Sequence, residues 1–259
     1  MLIYGRNAVL EALREGQVTR VMVAKGIQPA AHKELLGAAR RAGAEFEEVP
    51  RIQLDQALRT TNHQGVAAEL PEVKVAELED AYALASQRRE RLLLVFLDQL
   101  TDPRNVGAII RSAEALGAHG VIMEERRSAP LSAVVVKASA GATSLLPIIV
   151  VTNLVRTIEQ VKERGVWVYG AAPPTPGEPV TTPDLIDWDR DAAIVIGSEG
   201  TGMRRLVRER CDELVTLPMR GRIGSLNASV AAGVLLYCVQ QGRAAPSSSA
   251  ARRTPPPKD

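Results

Sequence analysis

Two cysteines, Cys211 and Cys238, and three histidines are the whole stock of soft metal ligands in a chain of 259 residues. Two thiols leave no disulfide framework and no zinc cluster, and they suit a reducing cytoplasm. His32, His63 and His119 are scattered without metal-ligand spacing, so no metal is expected. No segment approaches the roughly 20 apolar residues of a membrane span. The first residues, MLIYGRNAVLEALREG, carry charges too early for a signal peptide. A soluble cytoplasmic protein with no membrane partner is expected. Strong net charge is missing too: 24% of residues are charged but they sum to +2, so the totals do not demand nucleic acid, although patches matter more than sums. The dinucleotide fingerprint G-x-G-x-x-G after a first strand is absent, and so is G-x-x-x-x-G-K-[ST]. A pyrophosphate cradle is thereby excluded.

What is present is a sizeable core, with 46% hydrophobic residues, and a pattern that changes along the chain. Helical spacing over Asn7–Gly16, His32–Gly43 and Ile52–Arg59 alternates with strand patterns over Val18–Ala24, Ala44–Pro50 and Gly65–Leu70. Residues 1–70 read as a small α/β domain, and 71–91 as a polar linker with a short helix. From Leu92 to Leu97 the run LLLVFL is unbroken and apolar, as a strand buried on both faces of a parallel sheet should be. Helices and strands then alternate to a final helix over Leu226–Gln241, giving an α/β fold in which residues 92–242 form a larger parallel-sheet domain. Residues 243–259, rich in Pro and Ser and basic, are expected to be a disordered tail.

In open parallel sheets, ligands sit beyond the carboxyl ends of the strands. Three such tips, DQLTDPRN after Leu97, GSEGTG after Ile196 and RGRIGSLN after Met219, are richer in glycine or hydrogen-bonding residues than a plain connection requires. Arg111 lies four residues after Gly107. It is either a surface arginine or a side chain that leans back over Gly107 toward Asn105 and Asp98. Glu199 is either a site carboxylate or an exposed cap. Ser225 and Asn227 are capping types, Ser225 being the expected cap. Lys137 reads as a solvated helix residue.

The segments DPRNVGAIIRSAEALGAHGVI, IVIGSEGTGM and LPMRGRIGSLNASVAAG resemble, in order and spacing, the three motifs of the SpoU class of RNA ribose 2'-O-methyltransferases in the SPOUT superfamily. YGRNAVLEAL and NHQGVAAEL resemble the small RNA-binding domain found in that class. One departure is Ala228, where many relatives have valine. The resemblance implies S-adenosylmethionine as cofactor, a trefoil-knotted C-terminal domain, a homodimer, and a guanosine of 23S ribosomal RNA as target. The alternatives are a transfer RNA target and a non-catalytic RNA-binding protein. It implies that Gly197, Leu217, Met219 and Leu226 contact the cofactor, and that Ser225 and Asn227 order the site. Arg111 would clamp the target phosphate, oriented by Asn105 and Glu199, with Glu199 able to take the proton. Arg6, Arg20, Lys25, Arg40 and Arg41 are the expected RNA-binding cations of the small domain. Ala228, Ala231, Ala232 and Gly233 would face either a second subunit or the chain's own core.

Overall fold

The structure, a computed structural model, describes all residues except Met1, Glu15, Gln17, Pro71, Glu72, 174–178, Ile223 and 245–259. The expected tail therefore lies almost wholly outside the described residues. Two sheets organise the chain. The first contains β1 (Leu2–Tyr4), β2 (Arg20–Ala24), β3 (Glu45–Val49) and β4 (Val66–Glu69) in the order β1-β4-β2-β3. Helices α1 (Arg6–Arg14) and α2 (Pro29–Ala42) bury Val9, Leu13 and Leu35 against Val21, Val23 and Ala68 on one face. On the other face α3 (Arg51–Leu58) sets Leu54 against Met22, Ala24 and Ala67. β1 has three residues, too few to carry a readable alternation.

The second sheet is parallel throughout. It takes in β5 (Val75–Ala76), β6 (Leu93–Asp98), β7 (Gly120–Glu124), β8 (Ile148–Val151), β9 (Trp167–Ala171), β10 (Ala192–Gly197) and β11 (Glu213–Val215), in the order β11-β9-β10-β6-β7-β8-β5. Leu93, Val95 and Leu97 point into one core, beneath α5 (Pro103–Ala115), α6 (Ala133–Ala138) and α9 (Ala228–Ala244). Leu94 and Phe96 point into the other, with α4 (Leu78–Arg88), α7 (Leu154–Glu163) and α8 (Arg205–Arg210). Burial on both faces is why the run at 92–97 has no polar alternation.

Three expectations change. The stretch read as a linker supplies β5, which pairs with β8, while the short helix expected in it is α4, which buries Ala81 and Ala85. Ser132–Ala142 is not one helix: α6 stops at Ala138, and a 3-10 turn follows at Ala142–Ser144. Finally, α9 runs to Ala244, so Arg243 belongs to the helix and not to the tail. Its guanidinium donates to the carbonyls of Arg91 at 2.7 Å and of Leu92 and Arg190 at 2.9 Å, pinning the helix end to the amino edge of the sheet.

His119 sits close by, fully buried. Its Nδ1 accepts from the Leu93 amide at 3.0 Å, so Nε2 carries the proton and donates to Glu90 at 3.1 Å. Burial pushes its pKa below the ordinary 6.5, the Glu90 carboxylate opposing. Between the lowered folded value and 6.5 the unfolded chain binds the extra proton. His119 should therefore cost stability as pH falls below 6.5 and be silent above it. Urea unfolding at several pH values should show this slope in the wild type and lose it in His119→Asn; equal slopes would contradict it.

Candidate active site

The strand order reverses between β6 and β10, whose ends lie in register at Asp98 and Gly197. A reversal of this kind opens a crevice at the carboxyl edge. Asp98, fully buried, accepts from the Arg204 amide and from Nε, both at 2.6 Å, and Arg204 Nη2 reaches Glu124 at 2.9 Å. Two buried carboxylates are thus paired with one arginine, which stitches the turn after β10 to the tips of β6 and β7. Sequence reasoning missed this network. The available signal was an aspartate ending an unbroken apolar strand, since a buried charge requires a partner.

The turn itself is tight. Ser198 and Gly202 exchange amide bonds at 3.1 and 2.9 Å, and Gly202 has φ 68°. A Cβ on Gly197 would stand 2.7 Å from the Gly202 carbonyl oxygen and closer still to Gly202 C and Met203 N. The turn carries Glu199 to the helix starts of α5 and α9. There Glu199 Oε1 accepts from Asn105 Nδ2 at 2.7 Å and from Asn227 Nδ2, while Asn227 Nδ2 also meets Asn105 Oδ1 at 3.1 Å. Asn227 Oδ1 caps α9, accepting from the amides of Ser229 at 2.9 Å and Val230 at 3.3 Å. Asn227, not Ser225, is therefore the cap. The two amides leave Glu199 a fixed, singly aimed carboxylate.

Arg111 stands apart. It is exposed, on a stripe of α5 with Arg104, Ala108 and Ala115, and its side chain has no partner among the described residues. At ~100° per residue it lies about a third of a turn round the helix from Asn105. Gly107 does not clear its path: a Cβ there would stand 2.7 Å from Val135 O and closer to Ala138 Cβ, so this glycine serves the contact of α5 with α6.

Beyond β9, β10 and β11 lies a cleft of about 280 Å³, walled by Ile196, Leu217, Leu226, Ala231 and Leu235 and edged by Glu199, Ser225 and Arg208. Gly197, Leu217, Met219 and Leu226 all line it. Asn105, Asn227 and Arg111 do not. Among the described residues no backbone hydrogen bond engages 217–226. In the small domain the expected cations do not gather. Arg6 pairs with Glu34 at 2.5 Å, and Arg20 with Glu69 at 3.1 Å and Glu47 at 3.3 Å. Lys25 follows the carboxyl end of β2, as Arg6 follows that of β1, whereas Arg20, Arg40 and Arg41 sit at the opposite end. The small residues of α9 are also divided: Ala228 and Ala232 are in the core, Ala231 lines the cleft and Gly233 faces Ser112.

The large domain is thus an all-parallel α/β unit with a cleft beyond β9, β10 and β11 and, at the edge of that cleft, a carboxylate held by two side-chain amides. The chain belongs to the SpoU rRNA Methylase family, whose profile matches residues 92–237, and residues 2–76 match the domain described as RNA 2'-O ribose methyltransferase substrate binding. The Bacillus subtilis protein YacO, assigned to the TrmH family of tRNA/rRNA methyltransferases, is 42% identical over 93% of this chain and 95% of its own. A tRNA/rRNA methyltransferase of Mycolicibacterium vanbaalenii is 43% identical over 93% of this chain and 76% of its own. The SpoU methyltransferase AviRb of Streptomyces viridochromogenes, crystallised with its cofactor AdoMet, superposes with a TM-score of 0.61 at 28% identity, covering 94% of this chain and 90% of that one.

The protein is thus an RNA 2'-O-methyltransferase that takes S-adenosylmethionine. The cleft fits that cofactor. Ile196, Leu217, Leu226 and Leu235 supply apolar wall, no backbone hydrogen bond among the described residues engages 217–222 or 224–226, and beside them the buried Thr216 hydroxyl has no partner among the described residues. No group of metal-ligating residues occurs among the described residues, and no helix there is long and apolar enough to cross a membrane.

Proposed function

We propose that the protein methylates the ribose 2'-hydroxyl of a guanosine in 23S ribosomal RNA, and does so as a homodimer. The observation that carries the reading is the Asn105–Glu199–Asn227 triangle at the mouth of the cleft. The bound cofactor supplies an electrophilic methyl group. Backbone groups at Gly197, Leu217, Met219 and Leu226 would hold it in the cleft that they line. Glu199, fixed by two amides, stands ready to take the hydroxyl proton directly or through water. Arg111 is the phosphate clamp, since a guanidinium stays protonated and grips phosphate at two points. Alignment of hydroxyl and methyl supplies several kcal/mol of the barrier reduction, on the order of 7–11 in well-oriented cases.

The dimer reading rests on α9. Between Gly233, turned to α5, and Ala231, turned to the cleft, Val230, Val234 and Tyr237 form a solvent-facing stripe and are 50, 39 and 53% exposed. An unpaired apolar stripe beside a cleft suits a second copy. The trefoil knot belongs to the same reading, with 217–226 as the threaded segment. The ribosomal target is supported by the small N-terminal domain. Mapping 2'-O-methyl sites in ribosomal and transfer RNA from cells with and without the gene tests it. A single guanosine lost from 23S RNA is expected; a site lost from transfer RNA would transfer the assignment there.

A further inference from the structure

The totals of charge hide an uneven distribution. Because every strand of the large sheet is parallel, the loops after β6, β7 and β11 all emerge at the catalytic end. Those loops and the first turn of α5 carry Arg104, Arg126, Arg127, Arg220 and Arg222, all exposed and with no ion-pair partner among the described residues. The loops are neighbours in space. The Ala129 amide bonds the Leu100 carbonyl at 2.8 Å, joining the loop after β7 to the loop after β6, and Asn227 bonds Asn105, bringing the segment after β11 to the start of α5. The carboxylates of this end are largely occupied. Asp98 and Glu124 are held by Arg204, Glu199 by the two asparagines, and Asp102 accepts from the Arg104 amide at 2.9 Å, while the Glu125 carboxylate has no partner among the described residues. In the small domain, by contrast, two of the five expected cations are spent on ion pairs and the rest are split between two ends.

We infer that these arginines form an RNA phosphate-binding surface at the carboxyl end of the large sheet, beside the cleft, so that the substrate backbone is gripped by the catalytic domain itself and not by the small domain alone. Arginines without a partner in the fold gain little by being there. An exposed cluster of one sign beside a cleft concentrates a polyanion at its mouth. Phosphate is the chemistry that a planar guanidinium fits best. Arg104 lies seven residues before Arg111 on the same exposed stripe, which sets the two about 10.5 Å apart along the helix at ~1.5 Å per residue, within reach of successive backbone phosphates. The inference rests on reading this end of the sheet as the site of methyl transfer.

The test uses the full chain and a fluorescently labelled RNA hairpin, with dissociation constants measured from 50 to 200 mM KCl. The triple variant Arg104→Gln/Arg126→Gln/Arg127→Gln should flatten the salt dependence by about two to three units of slope and weaken binding at low salt by on the order of tenfold or more. Affinity for S-adenosylhomocysteine and the melting temperature should stay as in the wild type. Lysine at the same three positions should restore most of the slope. An unchanged slope in the glutamine variant overturns the proposed surface. So does a fall in cofactor affinity or melting temperature that accounts for the loss, because the arginines would then serve the ligand or the fold. The hairpin need not be a substrate, so the result stands whether or not 23S RNA proves to be the target.

Discussion

Replacing Arg111 with alanine is expected to lower the rate of methyl transfer about a hundredfold or more, the loss typical of an oxyanion-type donor, while leaving melting temperature and cofactor affinity at wild-type values. The structure makes this separation sharp. Arg111 is exposed, has no side-chain partner among the described residues and does not line the cleft, so nothing in the fold depends on it. Arg111→Lys discriminates between roles. A clamp that needs the planar fork will lose nearly as much with lysine as with alanine. A proton acceptor would instead recover as pH rises, because lysine deprotonates more readily than arginine. Single-turnover rates across pH measure this directly. Recovery of the lysine variant at high pH, beyond any gain of the wild type, would make Arg111 the base and leave Glu199 without that task.

The second large effect is expected at Gly197. A methyl group there meets backbone, not the end of a flexible side chain: Gly202 C, Gly202 O and Met203 N. Backbone cannot step aside without opening the Ser198–Gly202 turn that holds Glu199 in place. Gly197→Ala should cost about 3 kcal/mol or more of stability, at the upper end of overpacking penalties, and reduce S-adenosylmethionine binding below detection by calorimetry. A variant with wild-type melting temperature and affinity would show that the turn is not the cofactor's anchor.

The parts of this molecule that could be read beforehand are those whose cause is local. The strand at Leu93–Asp98 announces itself because burial on both faces leaves no polar position. The helix stop at Gly43 follows from its left-handed φ of 70°. β5, two residues in a polar stretch, could not be read, because its pairing with β8 depends on residues more than seventy positions away. The cap of α9 shows the same limit. Ser225 and Asn227 are both good cap types, and the choice was made by Asn105 and Glu199, distant in sequence, which hold the Asn227 amide at the helix start. Gly107 is similar: its neighbour Arg111 suggested a cleared path, but the crowding comes from Ala138 and Val135 on another helix. The three elaborate strand tips could be picked out together because parallel strands deliver all their carboxyl ends to one edge. The Asp98–Arg204–Glu124 network within that edge could not, since it joins the ends of β6 and β7 to a turn more than seventy residues further along the chain.

The direct test of the central claim is to incubate the purified protein with methyl-labelled S-adenosylmethionine and ribosomal RNA from cells lacking the gene, digest the RNA, and identify the labelled nucleoside by mass spectrometry. The account predicts a single 2'-O-methylated guanosine whose 3'-phosphodiester resists alkaline cleavage, formed by the wild type and not by Arg111→Ala. A label on a base, with the ribose unmodified, would contradict it.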